Sequence, residues 1–230
     1  MDVARPAQST QIFQIWQDIH AGEAQHPRER SRDAGLRDNG PVNGQESQLQ
    51  VLGVQVGAVQ PLKVGEQRVM SGIRKQAVRG PVAVSALGLT GDEQADLTVH
   101  GGLSKAVYAY PVEHYAFWRE HRRALGLSTD LSCGSLGENL TLCGVLETSL
   151  YVGDELRFPD CVLRVTQPRR TCYKLNVAMD DPTAVRTMAQ GGLSGFYLAV
   201  DVPGSLMVGQ TFEVIAGPRR STLSGRAGPL

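Results

Sequence analysis

The stretch Val51-Leu-Gly-Val-Gln-Val-Gly-Ala-Val59 is where this 230-residue sequence changes from polar to apolar character. It is rich in β-branched residues that alternate in part with small or polar ones, which is typical of a half-buried strand. Similar short runs, separated by Gly or Pro, follow at residues 67–73, 82–87, 151–158, 162–166, 196–202 and 210–215. The pattern predicts a mainly β fold, built as a sheet or barrel.

Two helices are expected beside these strands. Pro111 opens a segment in which Tyr115 and Trp118 fall on helical spacing, and Gly126 supplies a plausible stop. A second segment, residues 182–190, has Pro just inside its start and glycines past its end. We expect both helices to be structural and to pack against the strands.

The two ends of the chain differ from its middle. Residues 1–50 are rich in Gln, Arg, Asp, Gly and Pro, and only residues 12–16 offer a cluster of apolar side chains. We therefore predict a disordered leader that carries at most one short helix. Residues 217–230 are polar and rich in Gly and Pro, which predicts a flexible tail. A single domain over residues 51–216 is the simplest organisation.

Charge and hydropathy narrow the class of partner. Lys plus Arg equals Asp plus Glu at 23 each, so nothing indicates a surface for polymeric nucleic acid or anionic membrane. No apolar run approaches the roughly 18 residues of a membrane helix, and no signal-peptide core is visible. We therefore expect a cytoplasmic protein that binds a small ligand.

Several common enzyme motifs do not occur in the sequence. It contains no GxSxG elbow, no GxxxxGK[ST] loop, no GxGxxG after a strand and no HExxH helix. The sequence therefore offers no motif evidence for a serine hydrolase, a nucleotide hydrolase, a Rossmann enzyme or a zincin.

Three carboxylates, Asp92, Glu93 and Asp96, lie in a glycine-flanked stretch ahead of His100. We interpret them as a solvated loop in preference to a divalent-metal site, because no second histidine is spaced to complete one. A cation-dependent hydrolase that uses these four residues is the weakest of the functions we consider.

His100 is followed directly by Gly101 and Gly102, which allow a ligand to approach the backbone closely. Ser104 and Lys105 lie just beyond and could offer donors to an anionic ligand. A histidine that caps the core is an equally good interpretation of the same residues.

Cys172 lies in the run Gln167-Pro-Arg-Arg-Thr-Cys-Tyr-Lys-Leu175, which places one thiol among three cations directly after a predicted strand. Such neighbours favour the thiolate, and thiolates are the ligands that soft metals prefer. Cys143 and Cys161 sit beside apolar strand residues, as small core side chains do, and Cys133 lies in a loop. Cys172 is the candidate functional cysteine; a redox-sensitive surface thiol and a buried bystander are the alternatives.

The most specific signal is a set of four motifs in a fixed order: His100-Gly-Gly, Gly137-Glu-Asn-Leu, Val152-Gly-Asp and Gln167-Pro-Arg-Arg-Thr-Cys-Tyr-Lys-Leu. Together they resemble the MOSC family, and most closely its YiiM-like branch. The resemblance covers about residues 54–215. The family usually has Pro immediately before the cysteine, whereas this chain has Thr171, which leaves the thiol in place.

This resemblance implies a MOSC-type β-barrel, related to the barrel domain of pyruvate kinase, with a few short helices. It implies that Cys172 is the catalytic residue and the protein ligand to the metal of a molybdenum cofactor, a molybdenum pyranopterin dithiolene. The residues expected to bind that cofactor, with Lys105 added on charge grounds, are His100, Gly101, Gly102, Lys105, Asn139 and Arg169.

The function implied is that of a molybdenum-dependent oxidoreductase that reduces small N-hydroxylated compounds, such as hydroxylamino-purines or amidoximes. Its electrons are expected from a partner reductase of the flavoprotein class, because the chain itself shows no flavin or nicotinamide motif. The alternative is a non-catalytic molybdenum cofactor carrier or sulfur-transfer module.

Overall fold

The computed structural model describes residues 49–97, 100–218 and 221–223. Almost all of the predicted leader lies outside these residues. Within them the chain is mainly β, with three α-helices and two short 3-10 turns, at Leu103–Lys105 and Glu147–Ser149. The helices are α1 (His114–Ala124), α2 (Lys174–Ala178) and α3 (Ala184–Gly191). The strands are β1 (Gln50–Val56), β2 (Gln60–Val64), β3 (Gln67–Ser71), β4 (Gln76–Ala77), β5 (Val82–Ser85), β6 (Gly88–Leu89), β7 (Val107–Pro111), β8 (Leu140–Cys143), β9 (Glu155–Arg157), β10 (Val162–Pro168), β11 (Phe196–Val202), β12 (Gly204–Leu206) and β13 (Glu213–Ile215).

Eight of the strands form one sheet in the order β13-β9-β10-β11-β7-β8-β1-β4. Its ladders are antiparallel except between β7 and β8, which run parallel with Ala109 opposite Leu140. A three-stranded sheet, β12-β5-β6, and the hairpin β2-β3 complete the strand pairing. The prediction of a mainly β fold with few short helices is confirmed.

The ladders of the described residues do not form the closed barrel that we expected. The large sheet ends at β13 on one side and β4 on the other. A bridge between Gln50 and Thr211, with a hydrogen bond of 2.9 Å from the Val51 N–H to the Gln210 carbonyl, brings the segment before β13 beside the start of β1. This contact links the β13 end of the sheet to β1, the neighbour of the edge strand β4, through a few residues and without a continuous ladder.

Successive side chains of β7 point to opposite sides, and each side faces a separate hydrophobic core. Val107 and Ala109 face the main core, which is filled by aliphatic residues of the large sheet. Tyr108 and Tyr110 point the other way, into a second cluster with Tyr115 and Trp118 of α1, Leu175 and Met188. All five residues of β7 are buried, so the strand lacks the polar alternation that marked the others in the sequence.

Both predicted helices are present, with shifted starts. Pro111 ends β7 opposite Leu142, so α1 begins three residues later, at His114. It buries Tyr115 and Trp118, as their spacing predicted, and ends before Gly126, whose φ is +70°. The second helix, α3, covers most of the predicted range and ends at Gly192, whose left-handed φ of +66° closes it.

Part of the predicted flexible tail is packed on the sheet. Thr222 forms a bridge with Tyr151, and the Val152 N–H donates to the Ser221 carbonyl at 2.9 Å. Leu223 is buried in the main core. The tail is therefore not free over residues 221–223. None of the helices described above is long and apolar enough to cross a membrane.

Candidate functional site

A cleft of about 640 Å³, counting the part open to solvent, lies beside β7. Its walls come from the loop after β3, residues 92–95 and 100–101, the turn before β8 and the segment that follows β10. Tyr108 of β7 and Tyr197 of β11 form the floor between these loops. Loops held at the ends of a rigid sheet are a common place for binding residues.

The cleft collects six of the seven residues that we singled out from the sequence. These are His100, Gly101, Lys105, Asn139, Arg169 and Cys172. Gly102 does not line it; this residue, with a φ of +79°, directly precedes the 3-10 turn Leu103–Lys105. Three stretches that are far apart in sequence therefore meet on one surface.

Arg169 supplies a buried positive charge at this surface, with a side chain that is 8% exposed. No carboxylate among the described residues lies within salt-bridge distance of its guanidinium. Burial acts to lower the pKa of Arg169, but Tyr108, Tyr197 and Cys172 outweigh it, so the pKa is raised and the group stays charged. A buried charge without a counter-ion is unfavourable, which points to an anionic ligand.

The surroundings of His100 keep its imidazole neutral. Burial lowers its pKa below the ordinary value of 6.5, and the charges of Arg169, Lys174 and Lys105 lower it further, against the opposing effect of Asp96. At neutral pH the ring can donate one hydrogen bond and accept another. The equally weighted interpretation of a core-capping histidine is not supported, because the side chain lines the cleft.

Asn139 lines the cleft, but its amide already has partners. The Oδ1 atom accepts from the Tyr108 N–H at 3.1 Å, and Nδ2 donates to the Gln55 carbonyl at 3.2 Å. The neighbouring Glu138 is fully buried and accepts hydrogen bonds from Tyr115 and Thr141. The Gly137-Glu-Asn-Leu motif therefore joins β1, β7 and α1 at the edge of the cleft.

Of the four cysteines, only Cys172 lines the cleft. Burial and then the charge of Asp160 raise the pKa of Cys161 to about 11, and burial followed by Glu113 raises the pKa of Cys143. These two thiols stay protonated at neutral pH. Cys172 is partly exposed in the loop between β10 and α2, where its carbonyl accepts from the Leu175 N–H at 2.9 Å.

The acidic stretch ahead of His100 is not a solvated loop throughout. Asp92 is buried, forms an ion pair with Lys75 and accepts the Gly57 N–H at 2.8 Å. Glu93 accepts the Val59 N–H at 2.7 Å. The solvated-loop prediction is therefore wrong for Asp92, because its charge is matched by a lysine more than a dozen positions earlier. Within the described ranges no group of three or more His, Cys, Asp or Glu side chains could hold a metal ion.

Sequence reasoning missed Lys75, Tyr108 and Tyr197, all of which line the cleft. Tyr108 and Tyr110 share one face of β7, and this alternation of aromatic residues was the available signal. Nothing local marks Lys75, because its partner Asp92 lies in another loop.

The comparisons with known proteins are consistent with this arrangement. A family model described as "MOSC domain" matches residues 96–213. The chain is 36% identical over 171 residues to the uncharacterised protein YflK of Bacillus subtilis, covering 74% of this chain and 75% of that protein. It is 35% identical over 164 residues to protein YiiM of Escherichia coli, covering 71% and 70% respectively.

A longer protein also matches. The chain is 33% identical over 170 residues to a protein named "Reductase" from Gibberella moniliformis, covering 73% of this chain but 29% of that one. Among solved structures, YiiM from Geobacillus stearothermophilus superposes with a TM-score of 0.61 at 29% identity, covering 76% of this chain and 80% of that chain.

Proposed function

The chain belongs to the MOSC-domain family and is YiiM-like, and we propose that it binds a molybdenum cofactor in the cleft and acts as a small redox enzyme. The observation that carries the proposal is the joint placement of Cys172 and the buried Arg169 in one cleft. A thiol suits a soft metal, and an unmatched guanidinium suits a phosphate. The similarity to a protein named "Reductase" supports an oxidoreductase.

The residues of the cleft fit such a cofactor by their chemistry. Arg169 would hold the phosphate, assisted by the cations of Lys105 and Lys174, while Cys172 would be the protein ligand to the metal. Gly101 has a φ of +83°, and a Cβ at this residue would lie 2.9 Å from the Gln94 side chain. The position is therefore restricted to glycine, both by its left-handed backbone and by the Gln94 side chain beside it. When bound, the cofactor supplies the two-electron chemistry that removes oxygen from an N–OH group.

The protein's own part is to bind, orient and exclude solvent. The neutral His100 offers one donor and one acceptor at the cleft, where a substrate hydroxyl would enter. Asn139 keeps the floor rigid, because its amide joins β7 to β1. A fixed floor holds the reacting groups in one geometry, which is a large contribution to rate in enzymes.

The proposed substrates are small N-hydroxylated compounds, and the proposed electron source is a separate flavoprotein reductase. No nicotinamide or flavin motif occurs in the sequence, so the electrons must come from another chain.

The test is to purify the protein from a molybdenum-replete host, measure its metal content and assay reduction of a hydroxylamino-purine with a chemical electron donor. We expect molybdenum close to stoichiometric and turnover to the amino-purine. Bound molybdenum without turnover would favour the cofactor carrier. The absence of both would refute the proposal.

A further inference from the structure

The buried Arg169 guanidinium packs against an aromatic ring, whereas a buried guanidinium is usually paired with a carboxylate. Its guanidinium carbon lies 4.7 Å from the centroid of the Tyr108 ring. Met188 is a second side-chain neighbour, with Sδ 3.4 Å from Nη1, and the Tyr197 side chain also forms a hydrogen bond with the guanidinium. An aromatic face stabilises a cation without accepting its N–H groups. Most of the guanidinium donors therefore stay available to a ligand.

The hydroxyl of the same tyrosine donates to the turn that accepts the Arg169 N–H. Three successive carbonyls, of Leu193, Ser194 and Gly195, accept hydrogen bonds between α3 and β11. The Leu193 carbonyl accepts from the Tyr110 hydroxyl at 2.9 Å, the Ser194 carbonyl from the Tyr108 hydroxyl at 2.9 Å and the Gly195 carbonyl from the Arg169 N–H at 3.1 Å. Tyr108 thus contacts the Arg169 guanidinium through its ring. Its hydroxyl binds the Ser194 carbonyl, next to the Gly195 carbonyl that accepts the Arg169 N–H.

This turn is rigid for two further reasons. The Gly195 N–H donates to Glu147 at 2.7 Å, and Glu147 pairs with His114 at 2.8 Å, with both side chains buried. Gly195 has a φ of +65°, and a Cβ there would lie 2.4 Å from the Ala109 carbonyl. The close approach requires glycine, so the turn has little freedom to shift.

Burial raises the pKa of Tyr108 far above its ordinary value, against the opposing charge of Arg169. The hydroxyl therefore stays protonated and remains a donor to the Ser194 carbonyl. The ring also remains neutral, so it does not form a fixed ion pair with the guanidinium.

We propose that Tyr108 is a positioning residue that aims the Arg169 guanidinium into the cleft and keeps its donors free for an oxyanion of the phosphate class. The assignment of this oxyanion to the cofactor's phosphate rests on the proposed function. The positioning itself concerns two residues of this chain and is testable without the cofactor.

The experiment titrates inorganic phosphate into metal-free protein and follows the Arg169 Nε–H signal by NMR, with molybdenum content measured separately on loaded protein. Tyr108→Phe keeps the ring and should change phosphate affinity less than about twofold, whereas Tyr108→Leu should weaken it by about 3- to 10-fold. Tyr110→Phe is the control, because it removes the parallel bond to the Leu193 carbonyl, together with the acceptor of the Trp118 indole N–H, and leaves the Tyr108 ring over Arg169 in place. It should lower the melting temperature and leave phosphate affinity unchanged.

Equal losses of affinity in Tyr108→Leu and Tyr110→Phe would overturn the inference, as would a parent protein with no saturable phosphate binding. If Tyr108→Leu does not fold, the Arg169 signal in the parent and in Tyr108→Phe decides the matter. In both proteins we expect the Arg169 Nε–H resonance to be shifted by the ring current of residue 108 and to move further when phosphate is added. A resonance at its ordinary position would contradict the proposal. If the phosphate affinities of the variants are as expected but the protein never acquires molybdenum, the proposed function is refuted and the positioning role of Tyr108 stands.

Discussion

Lys75 and Asp92 form an ion pair in the wall of the cleft, with side chains that are 7% and 2% exposed. Asp92 also accepts the Gly57 N–H, so this carboxylate ties the loop ahead of His100 to the end of β1. An intact buried pair of this kind stabilises a fold only weakly, but removal of either partner leaves the other as an unpaired buried charge.

Removal of one partner of this pair should therefore be costly. We expect Lys75→Met to lower the free energy of unfolding by about 3–5 kcal/mol, because Asp92 is left as an uncompensated buried charge. Adding Asp92→Asn should recover much of this loss. The exposed pair of Arg123 and Glu120 gives the control, for which Arg123→Met should cost about 0–1 kcal/mol. Urea denaturation of the variants measures the effects, and equal losses in Lys75→Met and Arg123→Met would contradict the burial argument.

Substitution of Cys172 should separate activity from stability. Cys172→Ser replaces a soft ligand by a hard hydroxyl of similar size, so we expect loss of bound molybdenum and of substrate reduction with little change in melting temperature. Cys161→Ala should do the opposite, with activity retained and stability lowered by roughly 1 kcal/mol through lost packing. Metal analysis, thermal melts and the hydroxylamino-purine assay test both. A Cys172→Ser protein as active as the parent would exclude the proposed metal ligation.

The charge of Arg169 should be needed for cofactor retention. Arg169→Ala removes a charge-assisted hydrogen bond, which contributes on the order of 1.5–3 kcal/mol. We expect the molybdenum content after dialysis to fall accordingly. Arg164 lies on β10, the strand that Arg169 directly follows; its side chain is partly exposed and pairs with Asp201, so Arg164→Ala is the matched control and should retain the metal. Equal retention in the two folded variants would remove Arg169 from the cofactor site.

The lowered pKa of His100 predicts that the free energy of unfolding falls as the pH falls below neutrality. The unfolded chain binds a proton at this residue more readily than the folded one, so the stabilising effect is present above pH 6.5 and is lost as the pH falls through the folded pKa. Unfolding free energies measured from pH 7.5 downwards should show this loss in the parent and less of it in His100→Gln. The NMR titration midpoint of His100 should rise towards 6.5 in Arg169→Ala. A midpoint that does not move would show that the two groups are not coupled.

Much of the fold follows from local pattern, and much of the site does not. Alternation predicted β1 and β10, but β7 was missed because both of its faces are buried. The helix after β7 was expected from Pro111, which instead ends the strand, since a proline suits either place. These errors are local, because both alternatives satisfy the same short pattern.

The motifs identified segments that line one cleft, but they did not predict the contacts of each side chain. Asn139 was expected to bind cofactor, yet its amide partners are 31 and 84 positions away along the chain. The ring of Tyr108 over Arg169 is similarly non-local. Such contacts depend on sheet order, which spacing along the sequence does not encode.

The parallel pairing of β7 with β8 in the middle of the sheet also bears on how the protein is assembled. Parallel neighbours need a long crossover, and the cleft residues run from Ser71 to Tyr197. Loop closure over such separations is slow, so the binding surface exists only once the sheet has formed. Refolding rates should therefore be independent of any ligand present, while a ligand bound at the cleft should slow unfolding, as stopped-flow measurements with phosphate would show. We therefore expect the proposed cofactor to bind after folding is complete, without guiding it.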